Sequence, residues 1–240
     1  MALYNTQSYS IGTCQVTIYG NQPHLNLDSE VSRLQAIELG AQPESIAQIV
    51  TASNNQDPGH KNIVQDVFGK KSHADGVLLG TAGAAGIIQT ADCPALILYD
   101  IDSHTVVLAH AGRPALSPTG HCASCTVVVN ALHALIGHDG DPTRVIALVV
   151  GNICGRCFKH DHESAQHLIE PFLKLPEQVF ADRSVGALDL YEVIKHQLIF
   201  HEVPAENIRH EGPCTLETPG LSSYRKDKTL LRNTIIVVRQ

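Results

Sequence analysis

Two apolar runs, ALILYD (95–100) and TVVLAHAG (105–112), are joined through the short stretch DIDSH. Apolar runs of this length, bounded by turn formers, read as buried strands. A connection this short suits an antiparallel hairpin, because a parallel crossover needs a dozen or more residues. The hairpin fixes more than two strands. Counting outward from its turn, Cys93 at the head of the first run and His110 at the end of the second reach the same edge of the sheet. A thiol and an imidazole on one rim can share a metal ion. Each alone is also an ordinary strand-end residue, and Asp92 beside the thiol is as readily a strand-start cap as a general base or a group that orients a histidine.

The rest of the chain fits around this hairpin. SIGTCQVTIYG alternates as a strand, LDSEVSRLQAIELG reads as a helix stopped by Gly40, and SIAQIVTAS as a strand. NNQDPGHKN is a loop. DGVLLG and GIIQT join the two central runs as further strands in hairpins. Beyond HAGRPALSPTG, helices alternate with strands. CASCTVVVNALHALIG is predicted as a helix of about four turns bracketed by Gly120 and Gly137, with RVIALVVGN as a buried strand. HESAQHLIEPFLK and LDLYEVIKHQLIFH are predicted as helices, and Ile208–His210 and TIIVVR as closing strands. The expected fold is α/β, of the α+β type. It is a single domain over residues 1–240, with a mixed β-sheet, hairpins in the first half and helices packed on the sheet.

Composition narrows the function. Lys plus Arg number 17 against 24 Asp plus Glu, a net charge of -7 without a dense basic run. Phosphate neutralisation needs clustered cations, so a nucleic-acid partner is not expected. No apolar stretch reaches the roughly 18–20 residues of a membrane helix, and MALYNTQSYS lacks the features of a secretory signal. A cytoplasmic protein is expected. In a reducing compartment its seven cysteines point to metal binding or catalysis before disulfides, and its 14 histidines agree.

HCASC and ICGRC supply two CxxC pairs, Cys122 with Cys125 and Cys154 with Cys157. The 28 residues between them exceed the roughly 15–20 of a zinc knuckle, so they do not form one ribbon. In a β-α-β unit, however, both loops lie at the carboxyl end of the sheet, and the four thiols make a possible second metal site. HESAQH imitates the zincin motif but its second histidine is one residue too far, roughly 140° round a helix from the first. GTAGAAG opens a strand rather than a helix, so it is no phosphate cradle.

The order QDPGHKNIVQ, ADGVLLG, TADCPALILYD, VVLAHAG, VVGNIC, LDLYEVIKHQL, CTLETPGLSSYRKDK resembles the bacterial laccase-domain family over roughly residues 45–240. That family was labelled multicopper polyphenol oxidoreductase and is described as purine nucleoside phosphorylases with adenosine deaminase activity. The resemblance implies a metal site of His60, Cys93 and His110, holding zinc or, alternatively, copper. Spacing alone would not single out His60. Three protein ligands with an open fourth position is the pattern of catalytic zinc. The resemblance also implies a purine nucleoside and phosphate as small-molecule substrates, with Arg113, Arg225 and Lys226 as the cations for an anion site. After HAG the family continues Trp-Arg-Gly, whereas this chain has Arg113-Pro114-Ala115. Two other functions remain open: a Cys-His amidase or hydrolase acting on a cell-wall precursor, with Cys93 as nucleophile, and a metal-binding protein without catalysis. Polyphenol oxidation is the weakest, since three lone ligands do not make a multicopper cluster.

Overall fold

The computed structural model describes residues 6–20, 29–50, 62–65, 71–118, 126–137, 139–228 and 230–240. Its strands are β1 (Thr6–Ile11), β2 (Cys14–Tyr19), β3 (Ile46–Val50), β4 (Ile63–Gln65), β5 (Lys71–His73), β6 (Gly76–Leu79) and β7 (Ala85–Thr90). They continue with β8 (Ala95–Asp100), β9 (Val106–His110), β10 (Val145–Val150), β11 (Phe180–Asp182), β12 (Ala187–Leu188), β13 (Ile208–Glu211) and β14 (Asn233–Arg239). The helices are α1 (Ser29–Glu38), α2 (Arg113–Leu116), α3 (Val127–Ile136), α4 (Glu163–Gln166), α5 (Leu190–Phe200) and α6 (Tyr224–Asp227).

The α/β expectation holds, but the strands form two large mixed sheets rather than one. The first runs β1-β2-β14-β7-β3-β5 and the second β13-β10-β8-β9-β6-β4, with β11 and β12 as a small separate pair. The sheets face each other. Ile97 and Tyr99 of β8 share a core with Ile18, Ile88 and Ile235 of the first sheet. The alternate residues Leu96 and Leu98 point the other way, against Val128 and Leu132 of α3 and Val193 of α5. On the far side, Ala36 of α1 packs on Ile46, Ile87 and Ile236. The layer order is helices, sheet, sheet, helix. A strand buried on both faces must be apolar throughout, which is why ALILYD reads as a continuous run.

Several local readings change. SIGTCQVTIYG is a hairpin rather than one strand, turning at Gly12 with φ +54°. β7 does not pair with β6 or β8 but joins β14 and β3 in the opposite sheet. HESAQHLIEPFLK forms only the short α4 and a 3-10 turn at Glu170–Phe172, because Pro171 cannot donate to a continuing helix. The helix before Gly137 is the ten-residue α3, capped by Thr126. Thr126 also donates from Oγ1 to Gln197 of α5 at 2.9 Å, and Gln197 donates to the carbonyl oxygen of Leu116 at 2.8 Å. These buried bonds lock α2, α3 and α5 together behind the rim that follows β9.

Candidate functional site

Sheet register creates the site. β8 pairs antiparallel with both β9 and β10, so β9 and β10 run parallel with β8 between them. β13 is parallel to β10. The segments after β9, β10 and β13, and the one before β8, therefore leave a single rim. Within the β8–β9 hairpin Ala95 faces His110, as the short connection requires.

Cys93 and His110 meet there. A β-carbon placed on Gly112 would lie 3.1 Å from Sγ of Cys93 and 3.2 Å from Nε2 of His110. The two donor atoms thus lie close together against Gly112, where any side chain would crowd them. Behind His110 stands Asp75, fully buried, in the turn before β6. Nδ1 of His110 lies 3.3 Å from Oδ1 of Asp75, and the His110 N–H donates to the Asp75 carbonyl oxygen at 2.6 Å. Burial pushes the His110 imidazolium down. The Cys93 thiol and the Asp75 carboxylate outweigh it and raise His110 to about 10.

Asp92 is buried with φ +82°, a conformation few non-glycine residues adopt. Its Oδ1 accepts from the Thr215 hydroxyl at 2.7 Å, its Oδ2 from the Arg225 N–H at 2.6 Å, and its carbonyl oxygen from the Ile153 N–H at 3.0 Å. Asp92 thus ties three segments together beside Cys93, two through its carboxylate and one through its carbonyl oxygen.

Arg113 opens α2 and donates from Nη1 to the carbonyl oxygen of Leu168 at 2.8 Å. Burial lowers it, the Cys93 thiol opposes this, and Arg225 lowers it further. The Arg225 guanidinium lies 4.7 Å from the centre of the Phe158 ring. His160, also buried, lies at hydrogen-bond distance (Nδ1 to the Gly186 carbonyl oxygen, 3.0 Å) and feels both arginines. Lys226 sits in α6, its N–H donating to Ser223 Oγ at 3.2 Å. His60, Cys122 and Cys125 lie outside the described residues.

Among the described residues, Cys154 and Cys157 lie with Cys214 and Glu217. Asp75, His160, Cys214 and Glu217 were not singled out as site residues from sequence. One signal was available, since CTLE repeats the spacing of CGRC.

Two facing mixed sheets with a cysteine–histidine rim define a laccase-type domain. The family described as multi-copper polyphenol oxidoreductase laccase matches residues 29–239, and this protein belongs to it. A protein of Streptomyces coelicolor named a purine nucleoside phosphorylase is 32% identical over 160 residues, covering 65% of this chain and 60% of that protein. Another of that name, from Streptomyces griseus, is 31% identical over 158 residues, 65% of this chain and 58% of its own. Both are thus matched over less than two thirds of their length. A third of that name, from Campylobacter jejuni, is 27% identical over 183 residues, 76% of this chain and 74% of its own. Among solved structures, a Neisseria meningitidis protein superposes with TM-score 0.76 at 19% identity, covering 98% of this chain and 99% of that one. YlmD of Geobacillus stearothermophilus gives 0.73 at 17% identity, with 95% and 92% covered. Among the described residues no helix is long and apolar enough to cross a membrane.

Proposed function

We propose that this protein is a cytosolic metalloenzyme of purine nucleosides, cleaving or deaminating adenosine and related nucleosides at the Cys93–His110 rim. The observation that carries the reading is the chain of contacts from Asp75 through His110 to Cys93, with Arg113 alongside. The names of the relatives supply the substrate class.

The donor set fits a metal. Asp75 turns the far nitrogen of His110 toward Cys93, as carboxylates commonly do behind metal-bound histidines. Both donor atoms lie against Gly112, which has no side chain to crowd them. Cys93 and His110 would hold the ion, with His60 as third ligand. A zinc ion bound there supplies Lewis-acid chemistry and a water of lowered pKa. The chain's own residues do the rest. Arg113 and Arg225 attract the phosphate that displaces the purine from the sugar, and the Phe158 ring holds the Arg225 guanidinium in place. Asp92, with both oxygens engaged, is a positioning residue for Thr215 and Arg225 rather than a proton acceptor.

The same contacts favour a second reading. A thiol hydrogen-bonded to an imidazole that a buried carboxylate orients is also the arrangement of a cysteine hydrolase. Metal analysis of the purified protein separates the two. One zinc fewer in Cys93→Ala than in wild type supports the metalloenzyme. An active wild type that holds no more metal than Cys93→Ala and loses activity when Cys93 is alkylated supports the hydrolase.

A further inference from the structure

The parallel pairing of β10 with β13 sends two loops off one sheet edge, and each carries donor groups three residues apart. The first holds Cys154 and Cys157, the second Cys214 and Glu217. One ligand atom from each of the four lies within 4.8 Å of all the others. The Cys154 N–H donates to Sγ of Cys214 at 3.3 Å, and Sγ of Cys157 donates to Oε1 of Glu217 at 3.6 Å. With a zinc–sulfur bond of about 2.3 Å, the edge of a regular tetrahedron is about 3.8 Å. The four donors are therefore close to the spacing of a closed site before any ion draws them in. Two of the segments lie some 60 residues apart in sequence and are brought together only by the fold. Gly155 belongs to the arrangement, because a β-carbon there would lie 2.8 Å from the β-carbon of Asp189 and force the CGRC turn outward.

We propose that Cys154, Cys157, Cys214 and Glu217 form a structural zinc site, separate from the Cys93 rim, that clamps the loop after β10 to the loop after β13. On binding, each thiol gives its proton to solvent and its sulfur lone pair to the metal, while the carboxylate closes the fourth position. Three thiolates select a soft or borderline cation such as zinc over magnesium or calcium. The clamped loops are those that hold the catalytic rim. Ile153, beside Cys154, donates to the Asp92 carbonyl oxygen, and Thr215, beside Cys214, donates to the Asp92 carboxylate and to the Asn152 carbonyl oxygen. The site thus fixes Asp92, and through it the Arg225 backbone. The proposal does not depend on the ligands assigned at Cys93.

The test is zinc stoichiometry and affinity, by elemental analysis and chelator competition, on the full chain purified under reducing, anaerobic conditions. Cys93→Ala should retain one tightly bound zinc, and its cobalt form should show the charge-transfer absorption of several thiolates. Cys157→Ser should lose that zinc, whether or not the Cys93 rim keeps its own. The exposed substitution Glu217→Gln leaves the fold intact and should weaken the zinc about 10-fold or more. The double variant Cys122→Ser with Cys125→Ser should keep it. The proposal is overturned if folded Cys93→Ala is zinc-free, if the anaerobic protein carries a Cys154–Cys157 disulfide, or if the Cys122 and Cys125 double variant loses the ion. If wild type binds a single zinc that leaves with Cys157→Ser and not with Cys93→Ala, this site stands and the metal reading of the Cys93 rim fails.

Discussion

Asp75 holds His110 twice, accepting the His110 backbone N–H on its carbonyl oxygen at 2.6 Å and facing Nδ1 with its carboxylate at 3.3 Å. The residues are 35 positions apart and meet because β6 pairs antiparallel with β9, with Gly76 opposite Ala109. The double contact sets both the position of the ring and the nitrogen it offers to Cys93.

Asp75→Asn should therefore reduce metal affinity at the rim about 10- to 100-fold. The backbone contact survives, so the fold should persist. Competition with a chromophoric chelator measures the effect, and unchanged affinity would remove Asp75 from the site.

Asp92→Ala should destabilise the protein, because the Thr215 hydroxyl and the Arg225 N–H both lose their acceptor. Each unpaired buried donor costs about 1–3 kcal/mol. Asp92→Asn keeps one oxygen acceptor and should lose less. Urea unfolding of the two variants measures the difference, and equal stabilities would contradict the structural role.

At Gly112 the expectation is different. The backbone there is ordinary, with φ -66°, but an alanine β-carbon would sit 2.9 Å from Cε1 of His110. Gly112→Ala should cost only about 1–3 kcal/mol of overpacking. Metal binding and turnover should fall while the circular dichroism spectrum stays native. A fully active Gly112→Ala protein would contradict a site built by Cys93 and His110 against Gly112.

Stability should fall as acid is added below about pH 6.5. Burial holds His210 below the ordinary histidine range, with Asp189 and Glu211 only partly opposing it. Burial also lowers His160, opposed by its bond to Gly186 and reinforced by Arg225 and Arg113. The unfolded chain, titrating near 6.5, then binds more protons than the folded one, so stability rises with pH through this window. His110 is raised, and its stabilisation is instead lost between about 6.5 and its folded value of about 10. Unfolding midpoints at about pH 7 and 5.5 should differ less in His210→Gln than in wild type. Equal differences would exclude His210 as a source.

What the sequence revealed depended on whether a contact was local. The β8–β9 hairpin was readable because five residues join its strands, and Cys93 and His110 followed from counting. The sheet membership of β7 was not, since Ile87 and Ile88 are buried on opposite faces and leave no alternation to interpret. Asp75 was hidden in HADG because its role exists only once β6 lies against β9. The grouping of Cys154 and Cys157 with Cys214 and Glu217 was hidden for the same reason. A second CxxC pair is visible in sequence, whereas the parallel register that delivers Cys214 and Glu217 is not.

The most direct test is product release from adenosine by metal-loaded wild type and Cys93→Ala in phosphate buffer, followed by chromatography of the bases and an ammonia assay. The expected result is adenine, hypoxanthine or ammonia from wild type and at least a 100-fold loss in Cys93→Ala. Metal-loaded wild type that releases neither base nor ammonia from adenosine, inosine or methylthioadenosine would contradict the proposed function.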